Sequence, residues 1–373
     1  MRWARSSMPP IVIIGAGPAG LLLAHCLIAR ACPCVVYEGD AGAESRAQGG
    51  TLDLHAQTGQ AALRRAGLWD NFIRHARRED QGVRLFDMHG TLHFHDEGTD
   101  GDRPEIDRGA LRQLLIDALP ASTIRWGHRL KAVTRLPTRG IELHFVDRPA
   151  VQARYVVGAD GAHSRVREFL SSARAQATGH ALFELTIADA DRRHPALAER
   201  VGRGMLVAKG NGIKLFAQRN ANALIRVYVG LSGAALQRAG DRPSRDTLLA
   251  LLAGWHHTLR DLLDAAAPTV RVWPIEVLPP DHCWTSCEEA TLIGDAAHLM
   301  PPAGEGANLA LYDAVELADA LCVGGDWRTA VRAHESRLCA RAACAAREAL
   351  GFLDDKPVAD EAHAMRLRVR GAS

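Results

Sequence analysis

No single sign of charge dominates this chain. Its 373 residues carry 45 Lys and Arg against 43 Asp and Glu, a formal net charge of +2. That balance gives no electrostatic footing for nucleic acid or for an anionic membrane, and there is no basic stripe. Long apolar runs are missing too: nothing approaches the roughly 20 residues of a membrane span. The stretch Ile11–Ala29, behind the two arginines of Met1–Pro10, superficially resembles a secretory signal, but Gly15, Gly17, Pro18 and Gly20 interrupt it. Cysteine is too sparse for a disulfide scaffold: the eight thiols form no pair of CxxC knuckles. The spacings Cys32/Cys34 and Cys283/Cys287 can reach a metal, yet scattered thiols of this kind read as buried small hydrophobes or inert surface groups. They are expected to be reduced, in a cytoplasmic protein without a metal site. Repeats and low-complexity segments are absent, which excludes solenoids. What remains is an ordinary globular balance, 47% hydrophobic and 24% charged, in a chain long enough for two lobes.

Hydrophobic patterning divides the chain into two characters. Ile11–Ile14 is short, apolar and β-branched, the pattern of a central parallel strand. A helix is expected over Pro18–Arg30 and a second strand over Cys34–Tyr37, ending at Glu38. Gly82–His95, with a turn at His89-Gly90, reads as a hairpin. Arg108–Leu119 has helical spacing, Thr123–Leu136 reads as a strand, and Arg154–Val157 and Ala290–Ile293 are apolar strands running into Gly158 and Gly294. From about Ala181 to Leu231 the βαβ rhythm is lost. There Met205–Ala208, Ile213–Gln218 and Leu224–Val229 suggest an antiparallel meander. Thr247–Leu263 reads as helix, as does most of the chain after Ala307.

Three motifs carry chemistry. The first is Gly15-Ala16-Gly17-Pro18-Ala19-Gly20, directly after a strand and opening a helix. In such a G-x-G-x-x-G, the first glycine makes the tight turn, the second lets the backbone approach a pyrophosphate, and the third lets helix and strand pack closely. The helix N-terminus meets the phosphate charge. Glu38, at the end of the next strand, stands where a carboxylate takes ribose hydroxyls. The second motif is Gly158–Arg167, with Asp160, and the third is Gly294–Asn308, with Asp295. Each puts an aspartate and a glycine at the carboxyl end of an apolar strand, where open α/β sheets bind ligands. Asp295 can accept from ribityl hydroxyls, and the N–H groups of 304–308 can face an electron-rich ring edge. The expected fold is α/β: a discontinuous Rossmann-type domain (9–82, 103–177 and 285–325), an inserted β-rich substrate lobe (83–102 and 178–284) and a C-terminal helical segment (326–373).

In this order the three motifs resemble the group A flavoprotein monooxygenases, the family of para-hydroxybenzoate hydroxylase. Gly49–His55, Pro104–Arg108 with Leu111-Arg112, and Gly294–Pro302 look most like the tetracycline-inactivating members. The resemblance implies FAD as cofactor and NAD(P)H as a transient co-substrate without a Rossmann domain of its own. It also implies oxygen transfer to a planar aromatic or polycyclic molecule through a flavin C4a-hydroperoxide. By the same resemblance Gly15, Gly17, Ala19, Gly20 and Glu38 bind the dinucleotide, and Arg46, Gly50 and Arg112 contact FAD. Asp160 supports the flavin site, Asp295 takes the ribityl and pyrophosphate region, and Pro302, Gly306, Ala307 and Asn308 line the ring. Between His298 and Asn308 the chain departs from the pattern: it is one residue shorter and carries Glu305 where a neutral residue is usual.

No side chain is nominated as catalytic acid or base; His55, His163 and His298 read as structural. For the substrate, Lys214, Arg226, Tyr228 and Pro301 are the candidates. The alternating Ile213, Leu215, Leu224 and Val227 suit either a pocket wall or the core of a sheet. The alternatives are a flavin-dependent halogenase, of whose W-x-W-x-I-P signature only Trp273-Pro274-Ile275 is present, and a non-catalytic FAD-containing binding protein. The expected partner is a small molecule, with the chain a monomer or a weak homodimer.

Overall fold

The computed structural model of the protein describes residues 10–45, 49–98, 101–137 and 139–371. Ile11–Ile14 is buried at every position and is the middle strand of a five-stranded parallel sheet. In spatial order that sheet runs Ala290–Leu292, Tyr155–Gly158, Ile11–Ile14, Cys34–Tyr37, Ile124–Arg125. A parallel sheet is covered on both faces, which is why these strands are apolar runs rather than alternations. Helices Pro18–Ala29, Arg108–Asp117 and Glu305–Leu321 share one core with it, as does a small antiparallel sheet of Leu130–Arg135, Ile141–Phe145 and Val151–Ala153. Because the strands run one way, their carboxyl ends line up on one edge. Hydrogen bonds tie neighbouring ends there: Gly15 N to Tyr37 O, Ala159 N to Ile14 O, and Ile293 N to Gly158 O, all 2.8–2.9 Å.

The second lobe is a seven-stranded sheet in the order Arg271–Val277, Gln176–Ile187, Ile225–Ser232, Ile213–Arg219, Gly204–Gly210, Gly82–Asp87, Leu92–Asp96. The meander is therefore antiparallel as expected, and the early hairpin joins it by a parallel pairing. Pro274 cannot donate to a ladder, and its strand sits at the sheet edge where none is needed. One face buries Ile213, Leu215, Val227 and Val229 against Leu248, Leu259 and Leu262 of the helices Arg245–Leu251 and His257–Asp264. The core reading of Ile213, Leu215 and Val227 is thus the correct one, and Leu224 lies outside the strand.

Two expected elements are split. Thr123–Leu136 breaks into Ile124–Arg125 and Leu130–Arg135 around Gly127, whose φ of +68° turns the chain. The helix expected over Thr247–Leu263 ends at Leu251 and restarts at His257, because His256 N–H bonds instead to Met88 O at 2.8 Å.

The sheet's other face is partly covered by the C-terminal helix Val358–Gly371 and by Phe352, in the segment before it. Ala362 packs on Leu85 and Val207, and Phe352 stacks on Phe216 at 5.9 Å. The architecture is α/β with a β-rich second lobe and a helical C-terminus, as the pattern implied. No helix among the described residues is long and apolar enough to cross a membrane.

Candidate functional site

The glycines of the first motif do different jobs. A Cβ on Gly15, which has φ of +106°, would lie 2.3 Å from Ala159 O, and one on Gly20 would lie 2.1 Å from Gly15 O. Both are demanded by the protein's own packing. A Cβ on Gly17 would meet nothing within 4 Å. Gly17 caps helix Pro18–Ala29 without any side-chain hydrogen bond, and the backbone N–H groups of a helix N-terminus suit an anion. Ala19 is buried behind the turn. Glu38 spans the edge: its carboxylate accepts from Ala16 N at 2.6 Å and Asp40 N at 2.8 Å.

Arg112 is 2% exposed, not solvated. It donates to Ala16 O (3.0 Å) and Ala43 O (2.7 Å), pairs with Asp40 at 3.3 Å, and lies over the Trp126 ring. A buried guanidinium so held fixes both the glycine turn and the loop after Glu38. Arg46 lies outside the described residues.

In the second motif Asp160 accepts from Ser164 Oγ (2.5 Å) and Arg165 N (2.8 Å), and Ser164 caps the helix Arg165–Leu170. Asp160 therefore organises the strand-to-helix turn. Sequence reasoning missed Arg167. It is 1% exposed and donates to Ala296 O at 3.0 Å and to Ala162 O, stapling the second motif to the third. Nothing in its local sequence separates it from a surface arginine.

The third motif turns at Gly294 (φ +60°), where a Cβ would crowd Ala310 and Ala19. Asp295 beside it is exposed and without a hydrogen-bond partner among the described residues. His298 is buried in an ion pair with Asp313 (2.6 Å), which also accepts from Gly294 N (3.2 Å) and pairs with Arg341 (2.8 Å). Burial opposes the charge on His298, but Asp313 outweighs it and the imidazole pKa is raised. This is the structural role expected of His298. Pro301 is buried and Pro302 exposed. Gly304 (φ +103°) begins helix Glu305–Leu321, and Gly306 has open space where a Cβ would be. Asn308 is buried with its amide bonded to Asp53 O, Gly304 O and His55 N. Its side chain holds the turn in place, and the N–H groups of the first helical turn are what the turn presents.

The second lobe meets this edge at Gly50. A Cβ there would lie 2.7 Å from Tyr228 Oη, 3.1 Å from Gln218 Oε1 and 3.5 Å from Arg226 Cδ. Arg226 pairs with Glu184, which is 2% exposed and also accepts from Trp273 Nε1 at 2.7 Å. Burial, then Glu184, pushes the Tyr228 hydroxyl up to about 12, so it is a neutral donor. Lys214 lies further along the same face and donates to Phe352 O and Asp354 O (2.9 Å). A small cavity opens there, lined by His180, Leu182, Lys214, Gly230, Ile275 and Phe352. The three candidate substrate residues from the meander thus share one face, whereas Pro301 belongs to the third motif.

An open cradle at Gly17, a carboxylate at the next strand end, and an exposed aspartate on the same edge fit a dinucleotide. The comparisons agree. Residues 8–324 match the family model described as FAD binding domain. The chain is similar to Monooxygenase penA of Penicillium thymicola, 31% identical over 85% of each sequence. It is 30% identical to the 3-amino-4-hydroxybenzoate 2-monooxygenase PtnB3 of Streptomyces platensis, over 84% of this chain and 79% of that one. Its fold resembles the crystal structure of tetracycline destructase Tet(55), with a TM-score of 0.76 at 20% identity over 96% of this chain and 94% of that one. The chain belongs to the FAD-binding-domain family, as a FAD-dependent monooxygenase.

Proposed function

We propose that the protein hydroxylates a planar aromatic or polycyclic small molecule at the junction of its two lobes, consuming NAD(P)H, a proton and O₂ and releasing water and NAD(P)⁺. The observation that carries this reading is the contact of Gly50 with Tyr228, Gln218 and Arg226. It sets the polar face of the seven-stranded sheet against the segment leading from the glycine turn, and clefts between lobes are the usual place for such sites. PtnB3 is named for a hydroxylated benzoate, and tetracycline-like molecules are included because Gly49–His55 and Gly294–Pro302 resemble the tetracycline-inactivating enzymes.

FAD, when bound, supplies the redox chemistry; the residues hold, orient and exclude water. In this reading Gly15, Gly17, Ala19 and Gly20 seat the pyrophosphate, Glu38 the adenosine ribose, and Asp295 the ribityl chain. Arg46, Gly50 and Arg112 contact the cofactor, with Asp160 as support, and Pro302, Gly306, Ala307 and Asn308 form the ring's seat. Arg226, Tyr228, Lys214 and Pro301 face the substrate. Arg226 is oriented by Glu184, and Tyr228 donates a hydrogen bond. The cofactor domain comprises 9–82, 103–177 and 285–325, the substrate lobe 83–102 and 178–284, and the helical segment 326–373. The protein acts as a cytoplasmic monomer or weak homodimer on a small molecule.

The test is a screen of NADH and NADPH oxidation by the FAD-loaded protein against tetracyclines, phenols, quinolones and polyketides, with mass spectrometry of the products. A substrate that speeds oxidation and gains one oxygen atom supports the reading. Binding without any oxygenated product across these classes would sink it.

A further inference from the structure

The segment Asp53–His55 is stitched to the head of helix Glu305–Leu321. The neutral part of that stitching is Asn308. A charged part joins it: His55 Nε2 lies 3.0 Å from Asp53 Oδ2, and His55 Nδ1 lies 3.2 Å from Glu305 Oε1. Each ring nitrogen faces a carboxylate. A neutral imidazole has one N–H, and an ionised carboxylate only accepts. Both contacts are therefore hydrogen bonds only when the ring is an imidazolium. Burial opposes that charge, but the hydrogen bonds to Asp53 and Glu305 outweigh it and hold the pKa up at about 9. The other titratable groups at the cluster are Arg103, 3.9 Å from Asp53, and Glu105, opposite Asp53 in the strand pairing, whose carboxyl burial raises to about 8.

We propose that His55 is a positioning residue for the flavin: as a cation clasped between Asp53 and Glu305 it fixes the Gly304 turn, and its deprotonation releases the helix head that receives the cofactor. The proposal rests on the reading that residues 304–308 seat the flavin. Contact between clasp and turn is direct, since a Cβ on Gly304 would lie 3.8 Å from Asp53 Oδ1 and 3.9 Å from His55 Cε1. Charge matters as well as shape. Glu305 is the first residue of its helix, and a free carboxylate there competes with an electron-rich ligand for the same N-terminal dipole. With His55 charged, that carboxylate is neutralised. Glu305 and the histidine thus form one device.

The experiment compares wild type, H55Q, E305Q and the double variant from about pH 6 to about pH 10. It reads FAD affinity by flavin fluorescence quenching and thermal melting of the apoprotein. In wild type both should fall as pH passes about 9, affinity by about tenfold. H55Q should lack the transition and bind FAD about tenfold more weakly at neutral pH. E305Q should show the transition at lower pH, since one partner is gone. The double variant should regain affinity relative to H55Q, because it no longer carries the stranded Glu305 charge. A residue that only fills space moves no pH midpoint and gives no such rescue. FAD's own titration is common to all four proteins.

An apoprotein melt without a His55-dependent transition, or H55Q binding FAD like wild type, overturns the proposal. Gly306→Val distinguishes the reading beneath it, because its Cβ would meet no protein atom within 4 Å. If that variant melts and binds FAD like wild type, the helix head is not the flavin's seat. If it loses FAD while the His55 variants keep it, the seat stands and His55 does not set it.

Discussion

Two glycines of one turn should fail in opposite ways. Gly17 has φ −81° and ψ 176°, a conformation valine adopts freely, and its Cβ would meet no protein atom within 4 Å. The apoprotein of Gly17→Val should lose at most about 1 kcal/mol, the difference between glycine and valine as a helix cap. Bound FAD would occupy the same space. Overpacking of about 1–3 kcal/mol then weakens affinity by about fivefold to over a hundredfold. Gly20→Ala reverses the pattern. Its Cβ would sit 2.1 Å from Gly15 O, and a backbone atom cannot swing away. The apoprotein itself should lose about 1–3 kcal/mol or more, about 1–4 °C in Tm for a chain of this size. Melting of both apoproteins, with and without FAD, separates the cases. At FAD about a hundredfold above Kd, wild type gains about 2.7 kcal/mol, and Gly17→Val should gain less by the affinity it has lost. Gly17→Val binding FAD within about twofold of wild type, or Gly20→Ala melting at the wild-type temperature, would refute this division of roles.

Three further outcomes are expected. Arg167→Ala breaks the staple between the second and third motifs and should cost about 2–4 kcal/mol with a matching loss of FAD on purification; a variant that melts normally would mean the motifs hold without it. Arg226→Ala strands the buried Glu184 and should cost about 3–5 kcal/mol, mostly restored by adding Glu184→Gln. That double variant should keep its FAD but lose turnover of the true substrate, and unchanged kinetics would remove Arg226 from the site. Burial, with Asp53 adding to it, raises the Glu105 carboxyl from 4.5 to about 8. The folded protein therefore keeps a proton that the unfolded chain releases, and this stability is full below about pH 4.5 and falls as pH rises through about 8. Glu105→Gln should melt like wild type near pH 4 and be up to about 5 kcal/mol more stable near pH 9; equal melting at both would show that Glu105 ionises freely.

What the sequence disclosed was what is local. Gly15, Gly17, Gly20 and Glu38 could be read directly, because a turn, a helix start and a strand end each constrain residues close by. The parallel strands announced themselves by burial on both faces. Arg167, Glu184 and the Asp313–Arg341 pairing of His298 could not be read, because their partners lie far off in the chain and a buried charge looks like a surface one until its partner is known. The alternation through Ile213, Leu215 and Val227 correctly signalled a two-faced strand. It did not say which face turned toward the helices, since one residue of register exchanges the faces. Arg112 illustrates the same limit: its place after Leu111 suggested a role, but only the fold shows it buried beneath the glycine turn.

The parallel pairing of Gly82–Asp87 with Gly204–Gly210 shapes how the chain must be made. During synthesis the early hairpin emerges long before its partner, with the apolar Leu85 and Phe86 and an open strand edge uncovered. Pairings that distant form slowly, and an uncovered edge is a template for aggregation. The first sheet waits too, because Ala290–Leu292 is its outermost strand. Every contiguous stretch that holds one sheet complete also carries strands of the other. A fragment ending before Gly204 keeps an edge that nothing covers, and both sheets close only once translation has passed Leu292.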